Sequence, residues 1–398
     1  MFKLSLAILT GLALVIGADQ SSIAAAKAFY VGTCKPGKAD FTTIQEAVSS
    51  VPPGSTIDVC PGVYPEQVTI TQPLTLQGVQ SGNNAQVMIT APAGGTLVAT
   101  VPLAEPTLAQ VAVQNSSGVV DISGLTVDGT GITSASATVA GILYNSSPGT
   151  INQVVTQNLQ PAGVGAVGIF VRDELAVSPA VTVQNSAVSF TNSSNTSGIA
   201  ADTVIGRNGS QFITSGGTIT LSITNNYVSG AEGAIDVEFG VAATVTGNVV
   251  TGAIVTNAQG VSFAGDGIVT GFNTGPVKIN NNSIVNVGNG VLLQSQQSTG
   301  STTVSNNTVS SSDAGIFLSQ QSGSTTINGN QLITPTAVTS SASAKVGVNF
   351  DCIAPLPTVS GNTIVGSSIG LASVPSGASL QKNAGTFVNV PNVEQLCQ

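Results

Sequence analysis

The stretch Ser305–Gln321, SNNTVSSSDAGIFLSQQ, decides how the chain folds. A pair of asparagines precedes a valine, small polar residues follow, and the segment closes on Gly-Ile-Phe-Leu before polar residues resume. The pattern recurs along the chain. Asparagine followed two residues later by an apolar residue appears in TGNVV, NNSIV, NNTVS, GNQLI and GNTIV, at Asn248, Asn282, Asn307, Asn330 and Asn362. The intervals of 34, 25, 23 and 32 residues read as one basic period, with loops inserted where it is longer. A fixed period in this range marks stacked repeats, here strand-like rather than helical.

A second marker follows each asparagine: GILYN (141–145), GIFVR (168–172), GIAAD (198–202), AIDVE (234–238), GVLLQ (290–294), GIFLS (315–319) and GVNFD (347–351). Side chains alternate sides along a strand, so the second column, Ile142, Ile169, Ile199, Ile235, Val291, Ile316 and Val348, must point inward. If each period is one coil of a parallel β-helix, equivalent residues stack about 4.8 Å apart. The asparagines then sit at bends, where stacked amides bond to one another and satisfy turn backbone.

Composition agrees with many short strands. Only 7% of the 398 residues are charged and 4% aromatic, with 46 glycines and neither Trp nor His. The 41% hydrophobic content excludes disorder, and scattered Lys and Arg offer no stripe for nucleic acid. The net charge of -9 would repel a polyanionic glycan unless a cation or a local Arg offsets it. Residues 1–26 read as a secretory signal peptide: one Lys, an apolar run Leu4–Ile16, and Ala24-Ala25-Ala26. The chain is therefore expected outside the cytoplasm, secreted, periplasmic or at the cell surface. After signal removal no segment would span a membrane, and a monomer is expected. Residues 27–398 form one domain, with the cap and first coils in 27–80 and the last coils and tail in 340–398. Cys34, Cys60, Cys352 and Cys397 suit disulfides in that compartment. Three pairings exist; local pairs would staple the two ends. Without His or a Cys-x-x-Cys spacing a metal site is not expected.

The N-terminal part departs from the repeat. Thr43 and Glu46 form a capping box, and Ile44, Ala47 and Val48 give a short helix one apolar side that can cover the first coil. Downstream, Gly62, Tyr64, Glu66, Val68 and Ile70 write G-x-Y-x-E-x-V-x-I. This segment resembles the opening of right-handed parallel β-helix proteins of the pectin lyase-like superfamily, in which a capping helix precedes such strands. The resemblance implies an all-β fold, a right-handed parallel β-helix solenoid, over nearly all the mature chain. It leaves function open, because the superfamily includes lyases, hydrolases, esterases, epimerases and proteins without catalytic role.

Chemistry is sought in the outward fifth column of the second marker: Asn145, Arg172, Asp202, Glu238, Gln294, Ser319 and Asp351. Arg172, Asp202 and Glu238 fall on successive coils, close enough to shift one another's pKa. Asp236 shares the face of Glu238. Two adjacent carboxyl groups can divide labour, one ionised as nucleophile and one protonated as acid. ADTVIGRNGSQF (201–212), through Asp202, Thr203, Gln211 and Phe212, resembles the Q-D-T-L segment of pectin methylesterases. YVSGAEGAIDVEFG (227–240), through Asp236, Phe239 and Gly240, resembles their D-F-I-F-G stretch. The resemblance implies Asp236 as nucleophile and Asp202 as acid/base. Ala201 stands where that family has Gln, and its L-G-R-P-W segment is absent, so Arg172 or Arg207 would hold the sugar. The alignment also sets Glu238, not Asp236, level with Asp202.

Lacking His, the chain cannot write the G-H-G motif of polygalacturonases, and the Arg-rich motifs of pectate lyases are missing. No cofactor is expected; calcium is the one candidate, on Asp202, Asp236 and Glu238. In the third column Leu143, Phe170, Leu292 and Phe317 are apolar and outward, to be covered by loops or the C-terminal tail, or else left as a partner or sugar-stacking surface. Phe170 thus joins Arg172 and Arg207 as candidates for substrate binding. The functional expectation is a protein that binds or acts on extracellular polysaccharide, with carboxylic-ester hydrolysis as the reaction. The rival is a non-catalytic surface or adhesion protein whose charges decorate a solvated face.

Overall fold

The computed structural model describes residues 28–80, 86–98, 106–133, 137–159, 164–208, 211–252, 254–256, 262–294, 300–319, 324–334, 345–352, 356–375 and 385–397. The leader at 1–26 lies outside them. The described chain is a right-handed parallel β-helix with three faces. One face is a twelve-stranded parallel sheet running from Ala28–Val31 to Thr358–Ser360. The second and third join at bends into one twenty-stranded sheet, so that single strands such as Ser283–Leu293 cross both, and the third is the face that carries the Gly-Ile marker.

Apolar residues fill the interior as columns. Val68, Val111, Ile142, Ile169, Ile199, Ile235, Ile268, Val291, Ile316, Val348 and Leu371 are paired rung to rung and fully buried. The predicted second column is therefore continuous, with one rung the repeat reading passed over, Ile268. That coil, Asp266–Gly271, ends in glycine where its neighbours carry a polar outward residue. Glu238 and Gln294 are accordingly two coils apart, not one. The wide interval between Asn248 and Asn282 is a single coil into which the antiparallel pair Ile254–Thr256 and Ser262–Ala264 is inserted.

The paired asparagines have separate tasks. The first of each pair, or a glycine in its place, turns the backbone: Asn225, Gly247, Asn281, Asn306, Gly329 and Gly361 all have φ between 55° and 68°. Asn and Gly are the residues that adopt this left-handed conformation at little cost. The second enters a buried ladder, Asn226, Asn248, Asn282, Asn307, Asn330 and Asn362. From Asn248 onward each Oδ1 accepts from both the backbone N–H and the Nδ2 of the asparagine one coil earlier, at 2.9–3.0 Å, and Asn226 Oδ1 begins the ladder by accepting from Ser186 N. Each Nδ2 also donates to a carbonyl of the first face, as Asn307 does to Ile279 O at 2.9 Å.

The glycine of the Gly-Ile marker is required by close approach. A Cβ on Gly315 would sit 2.7 Å from the carbonyl oxygen of Gly347, the same position one coil on. At the open end, helix Ile44–Ser50 buries Ile44, Ala47 and Val48 against the first coils. Thr43 Oγ1 accepts from Glu46 N at 3.1 Å, and the Glu66 carboxylate accepts from Ile44 N and Gln45 N, both at 2.8 Å. Two free helix amides thus end on an anion. Disulfides Cys34–Cys60 and Cys352–Cys397 staple the two ends.

Replacing Asn307 by Ala removes the acceptor of two buried Asn282 donors and the donor to Ile279 O. Each buried unsatisfied group costs about 1–3 kcal/mol, so a loss of roughly 2–4 kcal/mol is expected in chemical denaturation. An unchanged midpoint would show that the ladder does not hold the coils together.

Candidate functional site

The groove forms where the middle coils of the third face end. Strands Ala166–Arg172, Ala187–Asp202 and Tyr227–Glu238 lie side by side, with Asn145 opposite Arg172 and Arg172 opposite Asp202. Ala200 is level with Asp236 and Ala201 with Val237, which sets Asp202 beside Glu238. The offset of two residues between Asp202 and Asp236 seen in the alignment is therefore real. The hairpin Val204–Asn208 and Gln211–Thr214 leaves the coil directly after Asp202 and forms one wall. The groove encloses about 430 Å3, and all six candidate residues, Phe170, Arg172, Asp202, Arg207, Asp236 and Glu238, line it.

Within it the charges are unequally matched. Arg172 is 4% exposed and bidentate to Asp202, Nε to Oδ1 at 3.0 Å and Nη2 to Oδ2 at 3.2 Å. Its guanidinium lies 4.5 Å from the centroid of the Phe170 ring, which is also 4% exposed. Leu143 and Phe170 are thus buried in a small outer apolar cluster rather than presented to solvent. Leu292 and Phe317 are half-buried. Asp202 Oδ1 also accepts from Val204 N at 3.1 Å, fixing the root of the hairpin.

Among the described residues the next coil pairs neither of its acids with a cation. Asp236 accepts a hydrogen bond from Ser197 Oγ, and Gly233 leaves room beside it: a Cβ there would be 2.7 Å from either carboxylate oxygen. Burial, reinforced by Asp266 and Glu232, raises the Asp236 pKa to about 6. Glu238 is raised further, to about 8, by burial and then by Asp236 and Asp202. Its Oε1 is buried without a hydrogen-bond partner among the described residues. Gly271 makes the space over it, since a Cβ there would lie 3.2 Å from that oxygen.

The hairpin wall is aromatic where it meets the ends of the coils. Phe212 lies 4.5 Å from Phe239, which stacks on Phe272 at 4.6 Å and 4°. Phe239 and Phe272 both have positive φ, 50° and 54°, uncommon for aromatic residues. The Arg207 guanidinium lies 4.1 Å from the centroid of Phe212. Sequence reasoning missed Ser197, Glu232, Asp266 and Phe272. The repeat offered one signal: GFN at 271–273 sits one coil beyond EFG at 238–240, each directly after a strand of the third face.

Asp202, Asp236 and Glu238 do not form a cation site, because Asp202 is turned to Arg172; among the described residues no three His, Cys, Asp or Glu group to hold a metal. The profile of the family described as periplasmic copper-binding protein (NosD) matches residues 190–393, just over half the chain. Comparison with curated protein sequences gives no match. The A-module of the mannuronan C-5 epimerase AlgE4 of Azotobacter vinelandii is similar at 13% identity, TM-score 0.45, over 89% of this chain and 90% of that one. The GH136 lacto-N-biosidase of Eubacterium ramulus gives 11% identity, TM-score 0.49, over 93% and 68%. Pectin methylesterase PemA of Erwinia chrysanthemi gives 14%, TM-score 0.31, over 66% and 80%.

The donors present do not fit copper. Copper sites draw on imidazole, thiolate and thioether; this chain has no His, its four Cys are in disulfides, and its methionines are Met1 and Met88. The periplasmic description agrees with the location outside the cytoplasm expected from the leader, and no helix among the described residues is long and apolar enough to cross a membrane. By the profile match and by its fold, the chain belongs to the NosD family of right-handed β-helix proteins.

Proposed function

We propose that the groove binds polysaccharide outside the cytoplasm and hydrolyses carboxylic esters on it. The observation that carries this is one pair: Asp236 and Glu238, partly buried, two residues apart on one strand face at the groove floor. Their environments set them about two pKa units apart, near 6 and near 8. At neutral pH the first is an anion and the second an acid, the division of labour that general acid and nucleophilic catalysis need. An open groove with an aromatic wall suits a chain of sugar rings.

Asp236 attacks the ester carbonyl carbon. As the bond to the alkoxy oxygen breaks, Glu238 gives that oxygen its proton and the alcohol leaves neutral. Water then gives a proton to the Glu238 carboxylate and cleaves the acyl–Asp236 anhydride, restoring both groups. Asp202, the acid/base implied by the esterase resemblance, gives both oxygens to Arg172 and is held as an anion. Its part is electrostatic, helping to keep Glu238 protonated.

Methanol release from methyl-esterified polygalacturonan tests the reaction. Rate against pH should be bell-shaped, with limbs near 6, where Asp236 ionises, and near 8, where Glu238 loses its proton. Asp236→Asn should lower kcat by about 10³-fold or more. No release at high protein loading would remove ester hydrolysis. Stability gives an independent check on Glu238. Because its folded pKa lies above the ordinary 4.5, its contribution is fully present below that pH and lost as pH rises through about 8. Glu238→Gln should therefore resist urea better than the parent protein at pH 9 and about equally at pH 4.5; a parallel offset at both would refute the shift.

A further inference from the structure

We infer that the groove is a charge filter, admitting uncharged or esterified sugar units and turning away free uronates. The inference rests on the ester-hydrolysis proposal only in naming the ester; the charge arrangement stands without it. Five acids line the groove, Asp202, Glu232, Asp236, Glu238 and Asp266, against two cations, Arg172 and Arg207. Count alone would not decide the matter, since one well-placed Arg can bind a carboxylate.

Placement decides it. Arg172, the cation on the floor, is buried under its bidentate pair with Asp202 and lies on the Phe170 ring, so its charge is already met. Arg207 is on the hairpin wall with its guanidinium over the Phe212 ring, and the charges that act on Asp236 and Glu238 are carboxylates. Around those two acids the neighbouring charges are Asp202, Glu232 and Asp266, with Asp313 beyond. A substrate carboxylate there would be one more like charge at a few ångströms in a partly desolvated groove. The carboxylates that add to burial in keeping Glu238 protonated would act on it too. An ester or a neutral sugar meets no such penalty, and the rings of Phe212 and Phe239, the latter backed by Phe272, give it apolar surface. For an ester substrate, hydrolysis creates a carboxylate where none is tolerated, so the groove would expel its own product.

Calorimetric titration distinguishes the cases. Methyl-esterified oligogalacturonides are titrated into Asp236→Asn protein, which should not turn them over. Saponified oligomers of equal length are titrated into both that variant and the parent protein, which cannot turn over a free acid. At ~20 mM salt the saponified oligomers should bind at least about tenfold more weakly than the esterified ones, and the gap should close in ~0.5 M salt as the field is screened. Glu232→Gln, which removes one floor charge, should narrow the gap severalfold. Equal or tighter binding of saponified oligomers at low salt, a gap that salt does not move, or failure of both oligomers to bind would each overturn the filter. If the parent protein releases no methanol while the salt-sensitive gap persists, the filter holds and ester hydrolysis alone is lost.

Discussion

Coil-on-coil stacking at about 4.8 Å governs everything else in this molecule. Each residue lies over its own counterpart one coil away, so whatever the sequence writes once per period is written again as a column. Aliphatic residues in column bury one another completely, and asparagines in column form the amide ladder that closes the turn backbone. Glycines in column allow backbone to approach backbone where no Cβ fits. The fold therefore follows from three or four residue types at fixed phase, which explains how a chain with so few charges and aromatics specifies one structure.

The same stacking makes charge hazardous. An ionised residue in an outward column faces its neighbours on adjacent coils, and the energy depends on which residue stands there. Arg172 above Asp202 answers the hazard by pairing. Glu238, one coil on, has the Asp202–Arg172 pair on one side and Gly271 on the other, with no cation paired to it among the described residues. Burial and the neighbouring Asp236 and Asp202 raise its pKa to about 8, so at neutral pH its carboxyl group stays protonated. Solenoids can tolerate such a group only where something else gains from it, and the groove is where the chain concentrates its inserted hairpin, its strained aromatics and its acids.

Much of this was legible in the sequence, for a physical reason. Interior columns repeat with the backbone period, so Ile142, Ile169, Ile199 and Ile235 declared the inward face and, by alternation, put Arg172, Asp202 and Glu238 outward on successive coils. The capping helix was legible through Thr43 and its apolar spacing. The coil at Asp266–Gly271 was not, because its outward fifth residue is glycine and leaves no polar mark. Nor were the contacts of Ser197 and Glu232, which come from the bend between two faces. There the pairing of Ala187–Asp202 with Tyr227–Glu238 shifts between Ser189, Ser193 and Ser197, and a strict period cannot track it. The tilt of Arg172 onto Phe170, which covers an apparently exposed aromatic, belongs to side-chain packing and has no sequence periodicity.

Family membership and site chemistry separate along the same line. The profile match spans the coils from residue 190 onward, where inward columns and bend asparagines repeat most regularly, and these are the features that the fold must keep. Outward residues are free to vary, and this chain uses that freedom. It spends its cysteines on the ends, has no histidine, and gathers carboxyl groups on the middle coils instead of the donors that copper requires. A scaffold set by its interior can thus carry unrelated chemistry on its surface, and what the surface does must be read from the groove. In that groove the decisive feature is a difference: neighbouring coils meet the same outward charge in two ways, one neutralised by Arg172 and the other left protonated at Glu238.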